Sequence, residues 1–271
     1  MKSSDDRVYK FWNNNFLGKG VFKFENNGKK FFDNHSRLTD SQTTFQKYLP
    51  ETENLEILDV ACGVGYWLDK YNTHSNPKIL IGVDISESAI DICNKRFKDS
   101  SVKLFFGNSE NLHFLNNQFD FISCHGALHH MENPKLALLE INRLLKKDGV
   151  LQISIYYKNI FFKIYDKSKI FRKVLFFIFK GIRGRGRDNF FQSQNSSELV
   201  RQFDGLENPI GWAGEIKDLE VLLPSTLKIS KISFEFSPSV YLLPFLPTFL
   251  HRLISRVIPL MMYVKLVKSN N

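Results

Sequence analysis

Cysteine is scarce in this chain, with Cys62, Cys93 and Cys124 the only three among 271 residues and no C-x-x-C spacing between them. That excludes a disulfide-stapled scaffold and suits reduced thiols in the cytoplasm. Long apolar runs are missing too. The greasiest stretch, VYLLPFLPTFL at 240–250, has eleven residues and two prolines, short of a bilayer span. The N-terminal MKSSDDRVYKFWNNN lacks the apolar core of a signal peptide, and no internal repeat is present. These absences predict a cytoplasmic protein.

Acidic residues are depleted in two places. Residues 151–187 hold ten Lys/Arg against the single Asp166, and no acid follows Glu235. Residues 1–150 carry 19 side chains of each sign and residues 188–271 carry 8 of each, so the net charge of +9 lies in one segment. A surplus spread over a surface mainly affects solubility, whereas a concentrated one points to an anionic neighbour.

What is present is alternation. EILDVACG (56–63), KILIGVD (78–84), VKLFFG (102–107), FDFISC (119–124) and VLQISIYY (150–157) read as strands separated by helical patterns. Ser86 and Asn133–Pro134 are suited to start two of those helices, and Gly149 to follow the end of the second. Such alternation predicts an α/β fold. It is Rossmann-like and doubly wound, with a mostly parallel seven-stranded sheet and its ligand at the carboxyl ends of the strands. After residue 157 the rhythm breaks, then resumes with a helix at 215–223 and strands at 227–236 and 261–268. The expected organisation is therefore residues 1–157 as an N-terminal cover plus cofactor-binding half, 158–214 as an inserted helical cap between strands 5 and 6, and 215–271 completing the same sheet.

LDVACGVGYW (58–67) sets an acid at the end of the first strand before Ala61, Gly63 and Gly65. Small residues there let backbone N–H groups approach a ligand. Asp84 ends the second strand, where a carboxylate can hold both hydroxyls of a ribose. Together they point to an adenosine-containing cofactor. A nicotinamide cofactor is disfavoured because the third glycine of its fingerprint would fall on Leu68. Tyr165 and Lys169 have the Tyr-x-x-x-Lys spacing of some dehydrogenases, but they lie in the basic segment.

LDVACGVG, GVDIS, GNSENLHF, FDFISCHGALHHMENP and LLEINRLLKKDGVLQISIY resemble, in order and spacing, the blocks of class I S-adenosylmethionine-dependent methyltransferases. They look most similar to the group holding the ubiquinone/menaquinone C-methyltransferases and many small-molecule methyltransferases. The resemblance covers residues 55–157 and is looser at YKFWNNN and at 203–223. It implies S-adenosyl-L-methionine as cofactor. Asp59, Ala61, Gly63 and Gly65 would hold its methionine end, Asp84 the ribose, Ile85 the adenine face, and Asn108 with Ser109 the adenine edge. Asn108 stands where the family usually has Asp, so charge assistance is lost there. His125 would lie near the sulfonium and the acceptor.

A base is needed only where the acceptor must lose a proton, and His125, His129 and His130 are the candidates. As His129 and His130 are adjacent, at most one is expected to face the pocket. No metal is expected: His125 and His129 lack a third ligand, and Gly126 replaces the Glu of a metalloprotease helix. Tyr66 and Trp67 read as packing residues. For the acceptor, a small molecule, apolar or lipid-like, is the leading expectation, with peripheral contact through 160–187 and 240–262 at the inner face of the membrane. The competing outcome is that these stretches only pack on each other as a lid. Nucleic acid is disfavoured, because there is no Asn-Pro-Pro-aromatic block and RGRGR is too short for a disordered RGG domain. An anionic metabolite drawn in by Arg183, Arg185 and Arg187, and a non-catalytic cofactor-binding module, stay open.

Overall fold

The computed structural model describes residues 6–16, 45–179, 190–237, 239–243 and 245–269. In chain order, α1 (Asp6–Asn15) precedes β1 (Glu56–Val60), α2 (Tyr66–His74), β2 (Ile79–Asp84), α3 (Glu87–Arg96), β3 (Lys103–Phe106), β4 (Phe119–His125), α4 (Pro134–Leu144) and β5 (Leu145–Tyr157). Then come α5 (Ile160–Lys167), α6 (Lys169–Phe179), α7 (Ser196–Phe203), β6 (Ala213–Gly214), α8 (Ile216–Glu220), β7 (Leu227–Glu235), α9 (Ser239–Leu242), α10 (Thr248–Val257) and β8 (Met261–Lys268). Single 3-10 turns occupy Phe45–Tyr48, Leu128–His130 and Phe190–Gln192.

The sheet runs β3-β2-β1-β4-β5-β8-β7, with β6 attached to β5. Strands β1 to β5 are parallel, while β8 is antiparallel to both its neighbours. The expected Rossmann-like α/β sheet is present, its seven main strands joined by the two-residue β6, too short to give a periodic signal. Strand boundaries are continuous buried runs, as parallel strands covered on both faces require: Ile57, Leu58 and Val60 in β1, Ile122 and Cys124 in β4, Ile153 and Ile155 in β5.

Local chemistry sets the helix starts. Ser86 accepts the Ala89 N–H and Asn133 the Leu136 N–H, and Pro134 fills the first turn of α4. Helix α4 stops at Leu144. Leu145 is already in β5, and the register shifts before Val150, with Asp148 at φ 58. Helices α4 and α8 bury Leu138, Ile141 and Leu219 in the larger core, while Leu68, Tyr71 and Cys93 of α2 and α3 form a second core that includes Ile57 and Phe121. A third cluster joins Phe162, Tyr165 and Leu175 of α5 and α6 to Tyr156, Leu260 and Tyr263.

Two excursions leave the sheet at one edge. The first, after β5, carries α5 to α7. The second, between β7 and β8, carries α9 and α10. Because β8 is antiparallel to β5, Met261 at its start pairs with Tyr156 near the end of β5. Both excursions thus stand at the carboxyl ends of the parallel strands. The N–H of Tyr157 donates to Leu260 O (2.8 Å), and the Asn159 side chain to Pro259 O (2.5 Å), tying one departure to the other's return. Residues 183–187, the Arg-Gly run, lie outside the described residues.

Candidate cofactor and acceptor site

The turn after β1 is held against β2: the Cys62 N–H donates to Val83 O (3.0 Å), and the Gly63 N–H donates to Asp84 Oδ2 (2.7 Å). Asp84 Oδ1 accepts from Ser86 N–H (2.8 Å). Ala61, Gly63 and Gly65 all adopt positive φ, at 57°, 54° and 83°. For Ala61, where the family often has glycine, this costs on the order of 1–3 kcal/mol, strain of the kind concentrated at ligand sites.

The two glycines differ. A Cβ on Gly63 would meet nothing within 4 Å, whereas one on Gly65 would sit 2.6 Å from the Phe97 ring. Gly63 therefore borders open space, and Gly65 lets α2 pack on α3; the Gly65 carbonyl also accepts from Arg96 (2.8 Å). Gly126, after β4, likewise borders open space at φ 69°.

Burial raises the pKa of Asp84, partly offset by the N–H groups of Ser86 and Gly63. With one lone pair of each oxygen taken by those amides, both oxygens can still accept hydroxyl donors. Asp59 is buried on β1. Its Oδ1 accepts from Ser123 Oγ (2.7 Å), its Oδ2 has no partner, and burial pushes its pKa up to about 7. Ile85 is half-buried. Asn108 uses Oδ1 to accept from Glu110 N–H (2.9 Å), so part of its acceptor capacity closes its own loop. Ser109 Oγ contacts Met131 Sδ (3.3 Å).

Helix α1 crosses this edge. Asn13 accepts from Ser88 N–H (2.9 Å), Tyr9 reaches Glu87 (3.1 Å), and Trp12 packs on His130 with ring centres 5.0 Å apart. It thus bridges the start of α3 to the 3-10 turn after β4.

The three histidines separate into distinct environments. His125 stacks on Trp67 (4.4 Å) beside Tyr48 and Tyr263, with Nδ1 3.4 Å from Ser154 Oγ and Nε2 without a partner. Burial lowers its pKa to about 3. His129 is sealed between His130 and Tyr156 with neither nitrogen hydrogen-bonded, and burial holds its pKa well below the ordinary value. His130 is the connected one. Nδ1 meets Ile210 O (2.7 Å), Nε2 meets Asp204 Oδ2 (3.1 Å), and Tyr156 donates to the same carboxylate oxygen (2.7 Å). The Asn208 side-chain amide also lies 3.2 Å from Nδ1, so the ring is held by Ile210 O, Asp204 Oδ2 and Asn208 Nδ2 as its direct polar contacts.

Asp204 and Tyr156 were not among the sequence candidates. The signal available was FDGLENPIGW at 203–212, the looser block, whose Asp204 and Ile210 turn back onto His130. The Tyr165–Lys169 pair does not form a dehydrogenase site: Tyr165 is buried and its hydroxyl donates to Ser193 O (2.7 Å), while Lys169 begins α6. Among the described residues no group of three His, Cys, Asp or Glu side chains is placed to hold a metal ion.

Comparison with known proteins bears on this site. A methyltransferase-domain profile matches residues 58–153. An uncharacterized protein of Methanocaldococcus jannaschii is 30% identical over 149 residues, covering 54% of this chain and 66% of that one. The demethylmenaquinone methyltransferase of Staphylococcus saprophyticus is 31% identical over 147 residues, covering 52% and 61%. The chain thus spans less than two thirds of the length of these relatives. A chain from the complex of the Haloferax volcanii Trm112 methyltransferase activator with a methyltransferase shares the fold at TM-score 0.61 and 14% identity, covering 99% and 100%.

Proposed function

From a chain that carries a class I S-adenosylmethionine-dependent methyltransferase domain at residues 58–153, we propose an enzyme that transfers the methyl group of S-adenosyl-L-methionine to an apolar small-molecule acceptor. One observation carries the cofactor half of this reading: Gly63 borders open space while its N–H is fixed on Asp84, whose oxygens keep lone pairs for hydroxyl donors. The residues fit the cofactor. Asp84 would take the ribose hydroxyls, the Ala61–Gly65 turn and Asp59 the methionine end, and Ile85, Asn108 and Ser109 the adenine.

The bound cofactor supplies an already activated methyl donor. The chain's work is then orientation and exclusion of water, which can lower a barrier by roughly 7–11 kcal/mol. Helix α1 lays Trp12 on His130, and Trp67, Tyr48 and Tyr263 surround His125. At neutral pH His125 and His129 are uncharged. A nitrogen whose pKa is about 3 is a weak base, so His125 acts through its unpaired Nε2 as a hydrogen-bond acceptor that orients an acceptor hydroxyl. The His130–Asp204–Tyr156 set is the better candidate to hold or move a proton.

The acceptor reading is supported by the named activity of the Staphylococcus relative and by the aromatic lining of the excursions, with Phe161, Phe171, Phe176 and Phe203 packed beside Tyr156 and Tyr263. Labelled-methyl transfer into fractionated extract tests it. Label in the organic phase is expected. Label confined to RNA or to protein contradicts the apolar acceptor, and no transfer by a cofactor-binding protein favours a non-catalytic module. Tyr156→Phe is expected to lower kcat about tenfold or more with cofactor affinity unchanged, in keeping with the usual 10²–10⁴-fold value of acid–base catalysis.

A further inference from the structure

We infer that α5, α6 and α10 form a docking face for an anionic lipid bilayer. Each of the three helices buries one side and presents a line of apolar side chains to water. In α6 the outward residues are Ile170, Val174, Phe177 and Ile178, spaced i, i+4, i+7, i+8, with Phe177 85% exposed. Its opposite side places Leu175, Phe171 and Phe176 in the cluster shared with Tyr165 and Leu260. In α10 the outward line is Phe249, Leu253 and Val257, continued backwards by Phe245, while His251 and Ser255 are buried. Helix α5 adds Ile160 and Ile164. Large apolar side chains exposed in rows on three helices mark an interaction site rather than ordinary scatter of apolar residues.

Charge selects the occupant. Lys169 and Lys173 lie within a turn of Ile170, Val174 and Phe177, and Arg252 and Arg256 stand beside Leu253 and Val257. Among the described residues Lys167, Lys169, Lys173 and Arg256 form no ion pair with an acid, and the second excursion has no acidic residue after Glu235. Exposed apolar rows edged by long cationic side chains suit the boundary between headgroups and acyl chains, with the stems lying along apolar surface and the charges reaching phosphate. A soluble protein partner would need acidic rather than merely apolar complementarity. No helix among the described residues is long and apolar enough to cross a membrane, so the contact lies on the surface.

Placement gives the face its use. Both excursions leave the sheet at the edge that carries His125 and Gly126, and they are hydrogen-bonded to each other at Tyr157–Leu260 and Asn159–Pro259. An apolar acceptor could then pass from the bilayer to the site without crossing water. That consequence rests on the acceptor reading above; the bilayer contact does not.

Flotation of the full chain with phosphatidylcholine vesicles, with or without about a third phosphatidylglycerol, tests the inference, since each basic residue near an anionic surface adds to binding. The wild type is expected to float with the anionic vesicles and to be released by salt. Phe177→Glu/Phe249→Glu should lower partitioning at least tenfold, and Lys169→Glu/Lys173→Glu should weaken it and flatten its salt dependence. These positions are exposed, so the fold is preserved, and calorimetry with S-adenosylmethionine on the same variants confirms it independently. Failure to float with either vesicle overturns the inference, as does unchanged flotation of the Phe177→Glu/Phe249→Glu variant. So does gel filtration showing that the face is already covered by a second copy of the chain. A wild type that floats but binds no cofactor would refute the methyltransferase reading and leave the docking face standing.

Discussion

The stretch matched by the methyltransferase-domain profile and the two excursions beyond it are built on opposite terms. In residues 58–153 the buried carboxylates are engaged internally, Asp84 accepting from the Gly63 and Ser86 N–H groups and Asp59 from the Ser123 hydroxyl, with apolar side chains buried on both faces of the sheet. The two excursions leave Phe177, Ile170, Phe249 and Val257 in water, and among the described residues their Lys167, Lys169, Lys173 and Arg256 form no ion pair with an acid. The methyltransferase-domain profile matches residues 58–153, where turn geometry and strand spacing recur together. The excursions are distinguished instead by charge and exposed apolar area, the features on which the proposed docking face rests.

The sharpest way to break this comparison uses two glycines two residues apart. Gly63→Leu should weaken S-adenosylmethionine binding at least about a hundredfold, near 3 kcal/mol, because its side chain enters the open space. Its stability should fall by no more than the roughly 1–3 kcal/mol strain of a side chain at φ 54°. Gly65→Leu should do the reverse, destabilising the fold by about 3 kcal/mol or more through the Phe97 contact and its φ of 83°. Calorimetry and thermal melts read both.

Next in size, Asp84→Asn should cost roughly ten- to hundredfold in cofactor affinity, since charge-assisted acceptance is lost. It should leave vesicle flotation untouched.

A smaller effect concerns pH. Asp59 has a folded pKa of about 7 against 3.8 unfolded, so the folded state holds the extra proton between them and stability falls as pH rises through that window. Asp59→Asn should remove this slope. Buried His125 acts in the opposite sense, binding its proton only near pH 3 when folded, so stability is lost as pH falls below 6.5. The difference between variant and wild-type melting curves is therefore the readout. Smallest of all, Phe177→Glu should change cofactor affinity less than twofold while reducing flotation.

Much of the first half was legible in the chain. Ser86 and Asn133 cap where the sequence places caps, and the mostly parallel sheet follows from the strand–helix alternation. What could not be read was long-range. Nothing local distinguishes Gly63 from Gly65, because only the position of Phe97, 32 residues on from Gly65, separates them. Likewise His129 and His130 are neighbours in sequence, yet Asp204 and Ile210 engage only the second. Composition alone pairs 240–262 with 160–187; that α9 and α10 return beside the first excursion depends on β8 lying antiparallel to β5, which no local pattern shows.

The most direct test of the account is calorimetric titration of the wild type and Gly63→Leu with S-adenosylmethionine. Saturable binding by the wild type, weakened at least about a hundredfold in a variant that still melts cooperatively, is the predicted result. A folded wild type that binds no cofactor at millimolar concentration, or a variant that binds as tightly as wild type, would contradict it.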